Sequence, residues 1–245
     1  MIRPTRLVLN NGLNKGENKM NKAIMLLVPP LLLGVSVASA DEFSRMSDRA
    51  GKWEFGLLLN YVDSWDLSGA NGTTINVDSD TGWGFTGAYN LNEHFNLGFT
   101  WTYNSQRYNA TILSADTPPA APINVNKNLD NQAFNFNFTY NFMPKTFTPY
   151  ITGLVGWTYL DSNIQSSEVS NGCWWDPWYG YICTPYYSTY TTTPFTYGIG
   201  LGVRWEVGHD MVLDASIDRR EMNVSGANDN TYMDVGKITL SWMVR

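Results

Sequence analysis

The chain has 245 residues, with 16 Lys or Arg against 22 Asp or Glu and a net charge of −6. That acidic balance excludes the basic surfaces that nucleic-acid partners require. No internal run reaches the ~20 apolar residues of a membrane-spanning helix.

The first landmark is N-terminal. Met20-Asn21-Lys22 precedes the apolar run from Ala23 to Gly34, broken by Pro29-Pro30, and the stretch closes on Val37-Ala38-Ser39-Ala40. A basic start, a short apolar core and a small-x-small end mark an export signal. The expected organisation is therefore an extension upstream of the true start (1–19), a signal peptide (20–40) and a mature domain (41–245). Residues 1–40 carry five of the 16 basic residues and one of the 22 acidic ones, leaving 11 and 21 and a net −10 in the mature chain.

After residue 50 the sequence alternates with period 2, the signature of strands with two distinct faces. Trp53, Phe55, Leu57, Leu59 and Tyr61 share one face of the first. In the second, Trp83, Phe85, Gly87 and Tyr89 oppose Gly82, Gly84, Thr86 and Ala88. In the third, Phe95, Leu97, Phe99, Trp101 and Tyr103 oppose Asn96, Gly98, Thr100 and Thr102. The fourth reads A-F-N-F-N-F-T-Y-N-F from Ala133 to Phe142. The fifth, Pro149–Tyr159, presents Ile151, Val155, Trp157 and Tyr159. The sixth sets Phe195, Tyr197, Ile199, Leu201, Val203 and Trp205 against Thr196, Gly198, Gly200, Gly202, Arg204 and Glu206. The seventh sets Met211, Leu213, Ala215 and Ile217 against Asp214, Ser216 and Asp218. The eighth sets Ile238, Leu240, Trp242 and Val244 against Lys237, Thr239, Ser241 and Met243.

One face of every strand is aromatic and aliphatic; the other is small and polar. In water the apolar face would turn inward, as in a lipocalin-like barrel, but a Gly/Asn/Thr face makes a poor water-facing exterior and a good narrow interior. The fold class is therefore all-β: an eight-stranded antiparallel up-and-down barrel that meets lipid with its outside. The connections alternate. Short turns lie at 90–94, 143–148 and 208–210, and long loops are expected near 63–80, 105–131, 161–193 and 221–231. Short periplasmic turns and long extracellular loops are the pattern of the outer membrane of Gram-negative bacteria, which puts both termini in the periplasm.

These strands, above all Thr193–Val207 (T-P-F-T-Y-G-I-G-L-G-V-R-W-E-V) and Met211–Asp218 (M-V-L-D-A-S-I-D), resemble the small outer-membrane barrels of the OmpA/OmpX type. The resemblance covers essentially the whole mature chain. It implies insertion by the outer-membrane assembly machinery; outer-membrane lipid and lipopolysaccharide are the expected surroundings, and a monomer is the expected state. Such chains usually end on an aromatic residue; this one ends W-M-V-R.

Chemistry is sparse. The only histidines, His94 and His209, fall in short turns at the end away from the outer leaflet, and Asp78/Asp80 reads as a solvated loop pair. Gly198, Gly200 and Gly202 recur every second residue inside a strand, which does not make a phosphate-binding loop. The expectation is a non-enzyme with no catalytic residue, metal or cofactor. Cys173 and Cys183, downstream of an export signal, are expected to form a disulfide. Between and beside them, Trp174, Trp175, Trp178, Tyr179 and Tyr181 either form a contact surface for a host or phage partner or fold back on the barrel mouth.

Inside, Glu54, Arg204, Glu206, Asp214, Asp218 and Lys237 form an expected charge network, with Arg204 opposite Asp214. Opposite signs in a narrow lumen favour a plug. The function expected is structural and surface-interacting: envelope integrity, with adhesion-type contact through the loops. The alternative is a narrow channel or conduit for small or hydrophobic molecules.

Overall fold

The computed structural model describes residues 45–68, 74–112, 123–176, 180–224 and 230–245, with backbone alone at 112, 123, 166–176 and 180–187. The expected extension (1–19) and signal peptide (20–40) lie outside the described residues. Among the described residues eleven strands follow one another: β1 (Trp53–Val62), β2 (Trp65–Ser68), β3 (Thr74–Val77), β4 (Asp80–Asn90), β5 (Phe95–Ile112), β6 (Ile123–Asn141), β7 (Phe147–Asp176), β8 (Gly180–Thr192), β9 (Phe195–Val207), β10 (Met211–Met222) and β11 (Thr231–Val244).

Eight of them close a ring. β1 pairs antiparallel with β4, β4 with β5, and so on through β6, β7, β9, β10 and β11, which returns to β1 from Trp53↔Val244 to Val62↔Val235. Closure leaves these strands no open edge, so the ring's backbone polar groups can be satisfied where no water reaches. Along β1 the side chains alternate outward and inward through the whole strand. Phe55, Leu57 and Leu59 are at least half exposed, whereas Glu54, Leu58 and Asn60 are buried. The exposed aromatics touch from strand to strand, as in Trp53–Tyr89 (4.9 Å between ring centroids), Phe85–Trp101 (5.2 Å) and Trp157–Phe195 (6.0 Å).

The long connections differ from the loops expected. β5 and β6 stay paired as far as Ile112↔Ile123. β7 runs 30 residues and pairs with β8 beyond the ring, and β2 and β3 form a hairpin that joins β5 through β3. The physical reason is that a ladder needs only backbone partners. The apolar–polar alternation used to recognise strands weakens beyond the lipid, where polar residues such as Asn104 and Gln106 take buried positions; the hydrogen bonds continue.

Candidate functional site: the barrel interior

Inward positions change character along the barrel axis. At the end that carries the short turns they are ionic. Arg204 on β9 reaches across the lumen to Glu54 on β1, donating from Nη1 to Oε2 at 3.0 Å and from Nη2 to Oε1. Its Nε lies 3.6 Å from Glu206 Oε1. That same oxygen accepts from Arg49 Nη1 at 2.6 Å and from Ser47 Oγ at 2.7 Å. All four charged side chains are at most 5% exposed. Two arginines and two glutamates therefore neutralise one another in a space that could hold neither sign alone.

The register does set Arg204 opposite Asp214, but the expected pairing between them is corrected: the ion-pair partner of Arg204 is Glu54. Cross-strand neighbours share one wall of the barrel, and a planar guanidinium gains more from a two-pronged contact with a carboxylate across the lumen. Asp214 instead lines a cavity of about 80 Å³ with Thr86, Asn137, Tyr150, Thr152 and Lys237, room for several waters and no more. Buried Asn135 finds no protein partner for either end of its amide, which suits a wet interior.

Farther along, Asp218 Oδ2 accepts from Lys237 Nζ at 2.6 Å and Arg220 Nη2 at 3.1 Å. The glycines of β9 make room for this layer. A Cβ at Gly200 would collide with Asp218 Oδ1, and one at Gly202 would stand 2.5 Å from Tyr150 Cζ. Gly200 and Gly202 are glycine on the inner face because Asp218 and Tyr150 from neighbouring strands occupy the space a side chain would need, and at Gly198 the β10 backbone at Arg219 does so.

At the other end the interior is apolar. Val62, Met222, Met233 and Val235, all inward on the ring strands, pack with Trp65 and Val77 of the β2–β3 hairpin and with Tyr108. Trp65 Nε1 donates to Gln106 Oε1 at 3.4 Å, and Tyr108 donates to the Ser162 carbonyl at 2.8 Å. The hairpin thus stoppers the barrel with hydrocarbon.

Residues 30–245 match the family described as outer membrane protein beta-barrel domain. The chain belongs to this family. As an outer-membrane barrel it is embedded in the bacterial outer membrane, with its aromatic exterior toward lipid. It is similar to the solved structure of the outer membrane protein OprG from Pseudomonas aeruginosa, at 13% identity over 82% of this chain and 100% of that one, with a TM-score of 0.54. Structures of Ail, the attachment invasion locus protein of Yersinia pestis (11% identity, 79% and 99% covered, TM-score 0.43), and of Neisserial surface protein A (14%, 78% and 96%, 0.42) are also similar. No curated protein matches the chain.

Of the outer-membrane barrel's expected interior charges, Glu54, Arg204 and Glu206 meet in one cluster, and Asp218 and Lys237 in another. Sequence reasoning missed three features. Arg220 continues the inward parity of Asp214, Ser216 and Asp218, so the alternation could have found it. Arg49 precedes the first strand and obeys no periodicity. The apolar stopper uses a hairpin that the sequence presents as loop. For the expected contact surface, the backbone register sets Trp174 opposite Ile182 and Trp175 opposite Tyr181; their side chains, and Trp178 and Tyr179 altogether, lie outside what is described. His94 sits in the β4–β5 turn, its Nδ1 2.8 Å from the Asn141 carbonyl and its ring stacked on Tyr140.

Proposed function

We propose that this is a non-enzymatic, plugged outer-membrane barrel with a structural role, displaying its long strand extensions outward for surface contact and its short turns and termini toward the periplasm. The observation that carries the proposal is the double closure of the lumen, ionic at one end and apolar at the other. Neither His94 nor His209 lines the interior cavity. A monomer suffices, since the ring satisfies its own strand edges. Its partners are then lipid and lipopolysaccharide at the exterior, the assembly machinery during insertion, and a host or phage surface at the extensions.

The contact surface rests on a cross-linked hairpin. Cys173 and Cys183 are directly opposed in the β7–β8 ladder. Opposed residues of antiparallel strands have Cα atoms about 4.5–5.5 Å apart, within the span a disulfide bridges. Both thiols should resist alkylation until reduced, and reduction should loosen the hairpin while leaving the ring folded.

Planar bilayers test the plug: the wild type should show rare, small or absent conductance. Large, steady channels would favour the alternative of a narrow conduit for small or hydrophobic molecules, for which the interior cavity is the supporting observation. Tags test the orientation. Insertions at Gly69, Ala120, Gly172 or Ala227 should be reachable on intact cells, and a reachable tag at Asn92 or Gly208 would reverse it.

A further inference from the structure

We infer that residues 45–52 form a latch over the short-turn mouth of the barrel, one that releases as a unit while the ring stays folded. The inference deepens the plugged reading and rests on it, since it names the part of the plug that moves. The segment reaches every short turn. Arg45 Nη2 donates to the Gly208 carbonyl in the β9–β10 turn. Arg49 donates from Nε to the Glu93 carbonyl of the β4–β5 turn at 2.8 Å, and from Nη1 and Nη2 to Lys145 O (3.2 Å) and Met143 O (2.9 Å) of the β6–β7 turn. With its bond to Glu206, one guanidinium holds three separate pieces of the rim, and Arg49 has no exposed surface.

Two features make this a latch rather than a ninth staple of the wall. First, its attachment is polar throughout. Ser47, Arg49 and Lys52 are buried, whereas Met46 is 62% exposed and Ala50 is also exposed. Further anchors are Ser47 N to Pro144 O at 3.1 Å, Thr146 N to Arg45 O at 2.9 Å, Gly51 N to Asn90 O at 2.7 Å and, to the Lys52 carbonyl, Asn90 N at 3.0 Å and Asn90 Nδ2 at 3.2 Å. With no apolar side chain to pull from the core, opening costs hydrogen bonds and the Arg49–Glu206 ion pair, polar contacts that water entering the mouth can replace. Second, the segment has a hinge and a charge that can be left behind. Gly51 lies at φ +74°, a conformation that glycine leaves and re-enters freely. On release Glu206 loses the Arg49 guanidinium at 2.6 Å and keeps only Arg204 at 3.6 Å, so the charge left behind must be solvated through the mouth that the latch uncovers.

The test uses the full mature chain in lipid nanodiscs with two readouts: hydrogen exchange of the 45–52 amides, and reaction of a thiol introduced by Ser216→Cys, on the cavity wall, with a small cationic thiosulfonate. The thiol variant carries Cys173→Ser and Cys183→Ser. Arg49→Gln should raise latch exchange at least tenfold and thiol labelling in step, with β1 and β11 amides unchanged. A tether between Met46→Cys and Lys145→Cys, which face each other across an isolated bridge, should slow both readouts until reductant is added, and it covers the case in which Arg49→Gln folds poorly. The inference is overturned if β1 and β11 accelerate as much as the latch, if latch exchange does not change, or if the latch frees while labelling does not. Steady conductance of the wild type with a protected latch would instead count against the plugged reading alone.

Discussion

The two ends of the barrel are closed by opposite chemistries. At the short-turn end, Arg49, Glu54, Arg204 and Glu206 interlock through directional bonds, and each group is tolerable there only because of its neighbours. At the far end, Val62, Trp65, Met222, Met233 and Val235 fill space without directionality. The first closure should be brittle toward any loss of a partner and indifferent to volume. The second should respond to volume and tolerate changes of shape. Between them lies a region of the lumen with room for water.

The sharpest way to break this comparison is Arg204→Ala. It leaves Glu54 buried without its guanidinium and should cost about 3–5 kcal/mol, read from denaturant-induced unfolding in lipid or detergent. The paired replacement of Glu54 and Arg204 by methionine should recover most of that loss. If the single and paired variants are equally unstable, the ion pair is not what the site depends on.

At the apolar end, Met222→Ala should cost about 2–5 kcal/mol by opening a cavity. Met222→Leu, which keeps the volume, should cost less than about 1.5 kcal/mol. A leucine variant as damaging as the alanine one would mean that this end is as shape-specific as the ionic end, and the contrast would fall.

The smallest effect belongs to Asp48. Its carboxylate meets Lys52 Nζ at 2.9 Å but is 57% exposed. Hydrogen bonding from the Lys52 ammonium holds its pKa below the usual carboxylate value. A depressed folded-state pKa contributes stability above the unfolded value and loses it as pH falls through the folded one. Solvent screening keeps the contribution small, so Asp48→Asn should change stability by at most about 1 kcal/mol and only above that acidic window. A larger loss at neutral pH would make the pair a structural anchor of the latch.

The ring was legible because its signal is repeated. Alternation in β1, β4, β5, β6, β7, β9, β10 and β11 marks lipid-facing positions residue by residue, and a single parity then fixes which side chains point inward. Arg204 and Glu54 could be placed inside by this rule, but it could not pair them. Parity states which wall a residue belongs to, and a long side chain spanning the lumen ignores neighbours in register. The strand extensions of β5 to β8 were illegible for a related reason: beyond the lipid no face has to be apolar, and buried positions such as Asn104 and Gln106 are polar, so the pattern that announces a strand fades while the ladder does not.

By itself, then, the sequence determined the solvent, the number of strands in the ring and the two faces of those strands where they meet lipid, because a lipid exterior forces apolar residues into every second position. Only the tertiary structure decided how the lumen is shut. Arg49 and Trp65 come from segments outside the alternating strands, and they matter because chain closure carries them over the two mouths. No local pattern encodes a contact between residues such as Arg49 and Glu206, 157 positions apart; it exists only once the ring has formed.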